Sequence, residues 1–266
     1  MNDLLMSEIK SEQRNLLSSL ALVEEYIFSE TPTFEQNLNE VIDACRQAIV
    51  DIEEPMDKAE SLINELYVSQ LFLDNERNVW PVLSQKISSA VENKLMAPVL
   101  KAAIIQSIIN ACDMEAEIVF VPEKVMVRII CDDIYSIIFE PISGESLNWQ
   151  QLDSRLGDLE GDPTQAFLEP MEVNSILVEY LTSLKNSLIK EVQFDKALKC
   201  VDLLLALRPD DPFERRDRGF LLHQLDCFKV AYDDYQFFVK ECPQDPAAQL
   251  LKLQLDKITI ADTVLH

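Results

Sequence analysis

A spacing of 34 residues constrains this chain more than any other feature. Leu188 recurs as Leu222, Phe194 as Phe228, Ala197 as Ala231, Pro209 as Pro243, Asp211 as Asp245 and Pro212 as Pro246. A period of that length belongs to helix pairs that cannot bury an apolar face alone and must stack on one another. The residue types fit: small Ala197 and Ala231 let paired helices approach, Phe194 and Phe228 fill the turn end of each hairpin, and the prolines stop the second helix. Gly219 adds a close-packing glycine where the preceding repeat has Lys185.

The period predicts tetratricopeptide-type α-hairpins over residues 170–266. A further helix, Ala247 to Ile260, is expected to cover the last repeat with Leu251, Leu255 and Ile258 on one side and a polar other side. On the groove face of the first helices, Glu179, Asn186, Lys190, Arg216, Phe220, His223 and Gln224 form a mixed lining suited to a protein segment. Read structurally, Phe220 is core and His223 a packing histidine. A carboxylate clamp is disfavoured, since Thr182 and Asp217 stand where a lysine and an asparagine would be wanted.

Upstream, apolar residues at intervals of three and four predict helices over Leu4 to Phe28, Phe34 to Asp51 and from Pro55 onward, the last burying Ala59, Leu62, Ile63, Leu66 and Leu71. Ala97 to Cys112 is apolar on most sides, as central core helices are. Three β-branched runs follow, Ala116 to Val121, Val125 to Cys131 and Ile134 to Phe139, joined by turn residues as in an antiparallel meander. Only 4 Gly in the whole chain also favours helices over hairpin-rich β architecture. The fold class is mainly α with a small antiparallel sheet (α+β): a helical and β-containing domain over 1–156, a linker over 157–169 containing Gly157 to Pro163, and the repeat domain over 170–266.

A formal net charge of −24 repels phosphate backbones and anionic lipid, so neither nucleic acid nor membrane is an expected partner. The same field either serves as a solubilising surface or attracts a basic partner, and the expected occupant of the repeat groove is a basic or helical segment of another protein. Met1 to Lys10 lacks the layout of a secretion signal, and a cytoplasmic location is expected. Six scattered cysteines show no metal-ligand spacing, adjacent acids such as Asp132 and Asp133 lack a calcium-loop pattern, and no phosphate loop is evident, so no cofactor is expected.

At Asp217-Arg218-Gly219, Gln224-Leu225-Asp226-Cys227, Cys242-Pro243-Gln244-Asp245-Pro246 and the closing Val264-Leu265-His266, and again at Pro141 with Gly144-Glu145-Ser146-Leu147, the chain resembles a bacterial family. It is similar to the SirB invasion-regulator family, first member, proteins with a transglutaminase-like core and C-terminal tetratricopeptide repeats. The resemblance implies a papain-like or transglutaminase-like origin for the middle segment, in which a helix cysteine pairs with a histidine and an aspartate on successive strands. In that chemistry the imidazole takes the thiol proton and the acid orients the ring.

Carried onto this sequence, the family pattern places the nucleophile at Pro98, the base at Lys124 and the orienting acid at Glu140. None is the residue the chemistry needs, and the turn after Asn93-Lys94-Leu95 lacks the family's glycine. Lys124 and Glu140 are expected either to form an ion pair that closes the old site or to point into solvent. A non-catalytic interaction or regulatory adaptor is the leading expectation. The alternatives are a thiol hydrolase or acyltransferase using another cysteine, with Cys112 and Cys131 poorly placed, and a structural subunit of a homo- or hetero-oligomer.

Overall fold

A computed structural model describes residues 15–121, 124–148, 150–152 and 168–264, with Ser7 and Ser154, and side chains as far as residue 255. The described residues divide into two compact units, one ending at Tyr180 and the other starting at Leu181. This division falls within one helix. Of the segment expected as a linker, residues 157–167 lie outside the described residues, as do His266 and most of the stretch before Asn15.

In the first unit, α1 (Leu16–Phe28) starts where the Asn15 side chain accepts a hydrogen bond from the Ser18 amide at 2.8 Å. Helix α2 (Glu35–Ile49) buries Leu38, Val41, Ile42, Cys45 and Ile49. Helix α3 (Pro55–Asn64) opens on proline, which lacks an amide the first turn would leave unused, and runs into a π-helical turn over Glu65–Ser69. That turn ends the helix sooner than the apolar spacing predicts. Leu71 is therefore not a core residue: it lies in the left-handed region at φ 57°, 68% exposed, and Phe72 is the residue that becomes fully buried.

Helix α4 (Ile87–Asn93) and the central helix α5 (Pro98–Ala111) follow. Along α5 Val99, Leu100, Ala102, Ala103, Ile104, Ile105, Ile108 and Ile109 are all buried, and so is Lys101. No single helix among the described residues is long and apolar enough to cross a membrane.

Strands β1 (Glu115–Val121), β2 (Lys124–Ile130) and β3 (Ser136–Phe139) form the expected antiparallel meander in that order. Both faces of the sheet are covered. Val119, Val121, Met126 and Ile138 pack with Leu152 on one side. The opposite face, with Ala116, Ile118, Val127, Ile129 and Phe139 buried, is that of a sheet whose first two strands pack against α5. Asp132 makes the β2–β3 turn by accepting the Ile134 and Tyr135 amides, both at 2.7 Å.

Helix α6 (Val173–Lys190) is followed by α7 (Phe194–Leu207), α8 (Pro212–Gln224), α9 (Phe228–Glu241) and α10 (Pro246–Val264). The 34-residue period reappears atom by atom. Gln193 N–H donates to Leu188 C=O at 2.9 Å, and Cys227 N–H to Leu222 C=O at 2.8 Å. Val192 and Asp226 both take left-handed conformations, at φ 61° and 60°. Asp211 caps α8 through the Phe213 and Glu214 amides, and Asp245 caps α10 through Ala247. Ala197 and Ala231 are buried, and a Cβ on Gly219 would lie 2.8 Å from the Tyr235 ring.

The outer side of α10 departs from the polar face expected of a covering helix. Leu255 is buried and Leu251 half-buried, but Leu250 and Leu253 are 64% and 61% exposed. Leucines at 250, 251, 253 and 255 span more of a helix circumference than a single packed face can cover.

Candidate functional site

At the three positions where the resemblance places catalytic residues stand Pro98, Lys124 and Glu140. Pro98 is the first residue of α5, where its fixed φ and missing amide suit a helix start. Lys124 opens β2 and Glu140 follows β3, so the antiparallel meander brings the two together across the sheet end. Lys124 Nζ lies 2.7 Å from Glu140 Oε1 and 2.5 Å from Glu76 Oε1. Of the two expectations for this pair, the structure holds the ion pair and adds Glu76, a member that nothing in the strand pattern signalled.

Hydrogen bonds to Glu140 and Glu76 hold the Lys124 ammonium above its usual range. For Glu140, burial pushes the carboxyl up, but the bonds from Lys124 and Ser143 outweigh it and leave it below the ordinary range. An ammonium clamped between two carboxylates is no proton acceptor near neutral pH.

A second lysine interrupts the apolar helix α5. Lys101, three residues beyond Pro98, is fully buried, donates to the Phe72 and Ile142 carbonyls, and lies 5.3 Å from the centre of the Tyr67 ring. Burial lowers its ammonium to about 8. The Asp74 amide also donates to Ile142 C=O, at 3.1 Å, and Ile142 packs with Trp80 and Ala97. The loop from Phe72 to Trp80 is thus fastened at Phe72, Asp74 and Glu76. Where the family's glycine is missing, Lys94 itself adopts the left-handed conformation at φ 56°.

Four of the six cysteines lie in surroundings that keep the thiol protonated. Cys112 ends α5, about 21 Å along the helix from Pro98. Burial pushes Cys45 up to about 12 and raises Cys112, Cys131 and Cys200 above the ordinary thiol range. Cys227 is exposed. His223 is an exposed ring set edge-on to Phe228, with centroids 5.2 Å apart.

Of the residues expected to line a partner groove, Glu179, Asn186 and Lys190 are exposed along α6, and Phe220, His223 and Gln224 along α8. Glu179 falls in the first unit and the other two α6 residues in the second. Phe220 packs edge-on against Phe194 and is 38% exposed. Arg216 differs from expectation: it is half-buried, bonds Asp217 at 2.8 and 3.0 Å, and stacks near Phe213 and Phe238. The reason is Lys185. Buried to 3% exposure, it bonds Glu214 at 2.9 Å and Asp217 at 2.7 Å, and Arg216 shares the same Asp217 carboxylate. A lysine standing where the next repeat has Gly219 was the available signal.

Comparison with known proteins places these units. The transglutaminase-like superfamily matches residues 32–182, and the tetratricopeptide repeat matches residues 184–256. The chain is 33% identical over 183 residues to UPF0162 protein YchA of Escherichia coli (strain K12), covering 68% of each chain. It is 26% identical over 267 residues to Protein SirB1 of Salmonella typhimurium (strain LT2), covering 98% of this chain and 99% of that one. Among solved structures, the crystal structure of menin aligns at a TM-score of 0.37 and 9% identity over 89% of this chain and 68% of that one, too weak a likeness to assign any residue. The chain belongs to the transglutaminase-like superfamily, as a relative of the SirB1 and UPF0162 proteins that carries a tetratricopeptide repeat after its core.

Proposed function

We infer that this protein is a non-catalytic, cytoplasmic regulatory adaptor, in which a silent transglutaminase-like core is joined to a repeat that binds another protein. The observation that carries the reading is the Glu140–Lys124–Glu76 cluster. Where acyl transfer needs a neutral base beside a thiol, the chain has an ammonium held by two carboxylates and a proline at the helix start. Raised thiols at Cys45, Cys112, Cys131 and Cys200 support it, because the thiolate is the reactive form. The exposed Asn186, Lys190, Phe220 and Gln224 on a repeat of this type support a protein ligand, and the charge of −24 favours a basic one.

Two measurements test this. Purified full-length protein is exposed to a thiol-reactive probe at neutral pH and to peptide, ester and amide substrates. Slow labelling throughout and no turnover are expected; one fast cysteine whose replacement abolishes turnover would refute the reading. Co-purification at native expression level should then retain a specific protein that Lys190→Glu combined with Phe220→Ala releases. Arg216 is unsuitable for that test, since its replacement would also disturb Asp217 and the buried lysine.

A further inference from the structure

A second surface lies within the first unit. A cleft of about 470 Å³ runs between α3 with its π-helical turn and the edge strand β3. Met56, Ile63, Tyr67 and Val68 form one wall, and Ile137 and Leu147 lie opposite. Tyr67 is fixed there: its hydroxyl donates to Pro141 C=O at 2.7 Å, and its ring fills the space a Cβ on Gly144 would need.

Backbone groups on this side of β3 are partly used and partly open. Cys131 N–H donates to Tyr135 C=O at 3.0 Å, so residues 135, 137 and 139 turn their amides and carbonyls toward β2. The alternate residues 136, 138 and 140 turn theirs outward. Segment 145–147 already pairs with part of that row, through Leu147 N–H to Ile138 C=O at 2.8 Å and Glu140 N–H to Glu145 C=O at 3.0 Å. At Ser136, an exposed residue beside the cleft, no other described residue bonds the outward amide and carbonyl. The strand-like pairing begun by 145–147 stops where the edge becomes open.

Charge and apolar exposure select what could continue it. Among the described lining residues the charge is carried by Glu60, and Asp132 and Asp133 stand at the turn beyond the open end of β3. Ile134 is 82% exposed, Tyr135 58% and Val68 63%, extending the apolar wall outward. An unpaired strand edge beside an apolar cleft with acidic ends suits one kind of ligand.

We propose that this cleft binds an extended basic–apolar peptide segment of a partner protein, added as a strand to the Ser136 edge of β3, with an apolar side chain in the cleft and a lysine or arginine at Glu60. The backbone supplies affinity, and the side-chain pockets supply the choice of sequence.

The test pans a display library of random linear peptides on the full-length protein. Enriched peptides should alternate apolar and basic residues and should bind at least about tenfold more weakly to Glu60→Lys and to Ser136→Pro, which removes the outward amide at a tolerated edge position. Lys190→Glu with Phe220→Ala should leave that binding unchanged. Resynthesised with N-methyl groups at successive positions, a peptide should lose binding at alternate residues only, as strand addition requires. Should Ser136→Pro fail to fold, Glu60→Lys and the N-methyl scan decide. No enrichment, acidic or helical enriched peptides, indifference to Glu60→Lys, or an N-methyl scan without alternation would each overturn the proposal.

Discussion

Replacing Lys185 by Met tests most directly how the repeat is held. The ammonium is 3% exposed and touches Glu214, itself 5% exposed, and Asp217, whose side chain is 22% exposed. Burial works against the charge, yet Asp217 and Glu214 together hold the ammonium above its ordinary range. Removing one partner of a buried ion pair costs about 3–5 kcal/mol, because the remaining charge is left uncompensated. Here the lower end applies, since Arg216 still bonds Asp217 and Arg208 still reaches Glu214 at 3.4 Å. About 3 kcal/mol corresponds to a fall of at least about 6 °C in Tm for a chain of this size.

The assay is equilibrium unfolding of the full chain in denaturant, followed by far-ultraviolet circular dichroism. Adding Glu214→Gln to Lys185→Met should recover part of the loss, because one stranded charge is then gone. The sign of the pH dependence is also fixed. A lysine whose folded pKa is raised contributes fully below the unfolded value of about 10.5 and loses that contribution as pH climbs through the folded value. The gap between wild type and Lys185→Met should therefore hold steady through neutral pH and narrow above about 10.5. A loss below about 1 kcal/mol, or a gap that narrows already between about pH 6 and 9, would refute the assignment of a buried, compensated ammonium.

Glu24, 2% exposed, accepts the Ile87 amide at 2.6 Å, and burial pushes its carboxyl up to about 7 against that bond and the charge of Lys86. A raised carboxyl favours folding below its unfolded pKa and loses that contribution as pH rises toward 7, so Glu24→Gln should flatten a decline of about 3 kcal/mol between about pH 4.5 and 7, read as Tm against pH. Val192 is β-branched, 68% exposed and held at φ 61°; Val192→Gly should raise stability by about 1 kcal/mol in denaturant titration. Gly219→Ala should cost about 1–3 kcal/mol in the same titration, because its Cβ would meet the Tyr235 ring at 2.8 Å. Lys124→Met should speed amide hydrogen exchange in residues 73–79, since that loop loses its tie at Glu76, while stability falls by no more than about 1 kcal/mol.

Where local chemistry repeats along the chain, the sequence was sufficient. The 34-residue period paired Phe194 with Phe228, Ala197 with Ala231 and Asp211 with Asp245, and the structure starts α7 and α9 at the phenylalanines, buries the alanines and caps α8 and α10 with the aspartates, because such local roles depend on residues a few positions apart. The β-branched runs located three strands and their order for the same reason. Tertiary structure decided what depends on distant partners. Nothing in the residues around Lys101 or Lys185 says what would compensate a charge there, yet both are buried, because carbonyls of Phe72 and Ile142 and carboxylates of Glu214 and Asp217 come to them from other elements. Leu71 read as core and is exposed, because a π-helical turn shifts the register by which a helix face is counted. Glu76 joined Lys124, and Ser136 came to stand at an open edge beside a cleft, through contacts whose information lies in no single stretch of residues: a charge's cost and a strand's pairing are set by what packing brings near them.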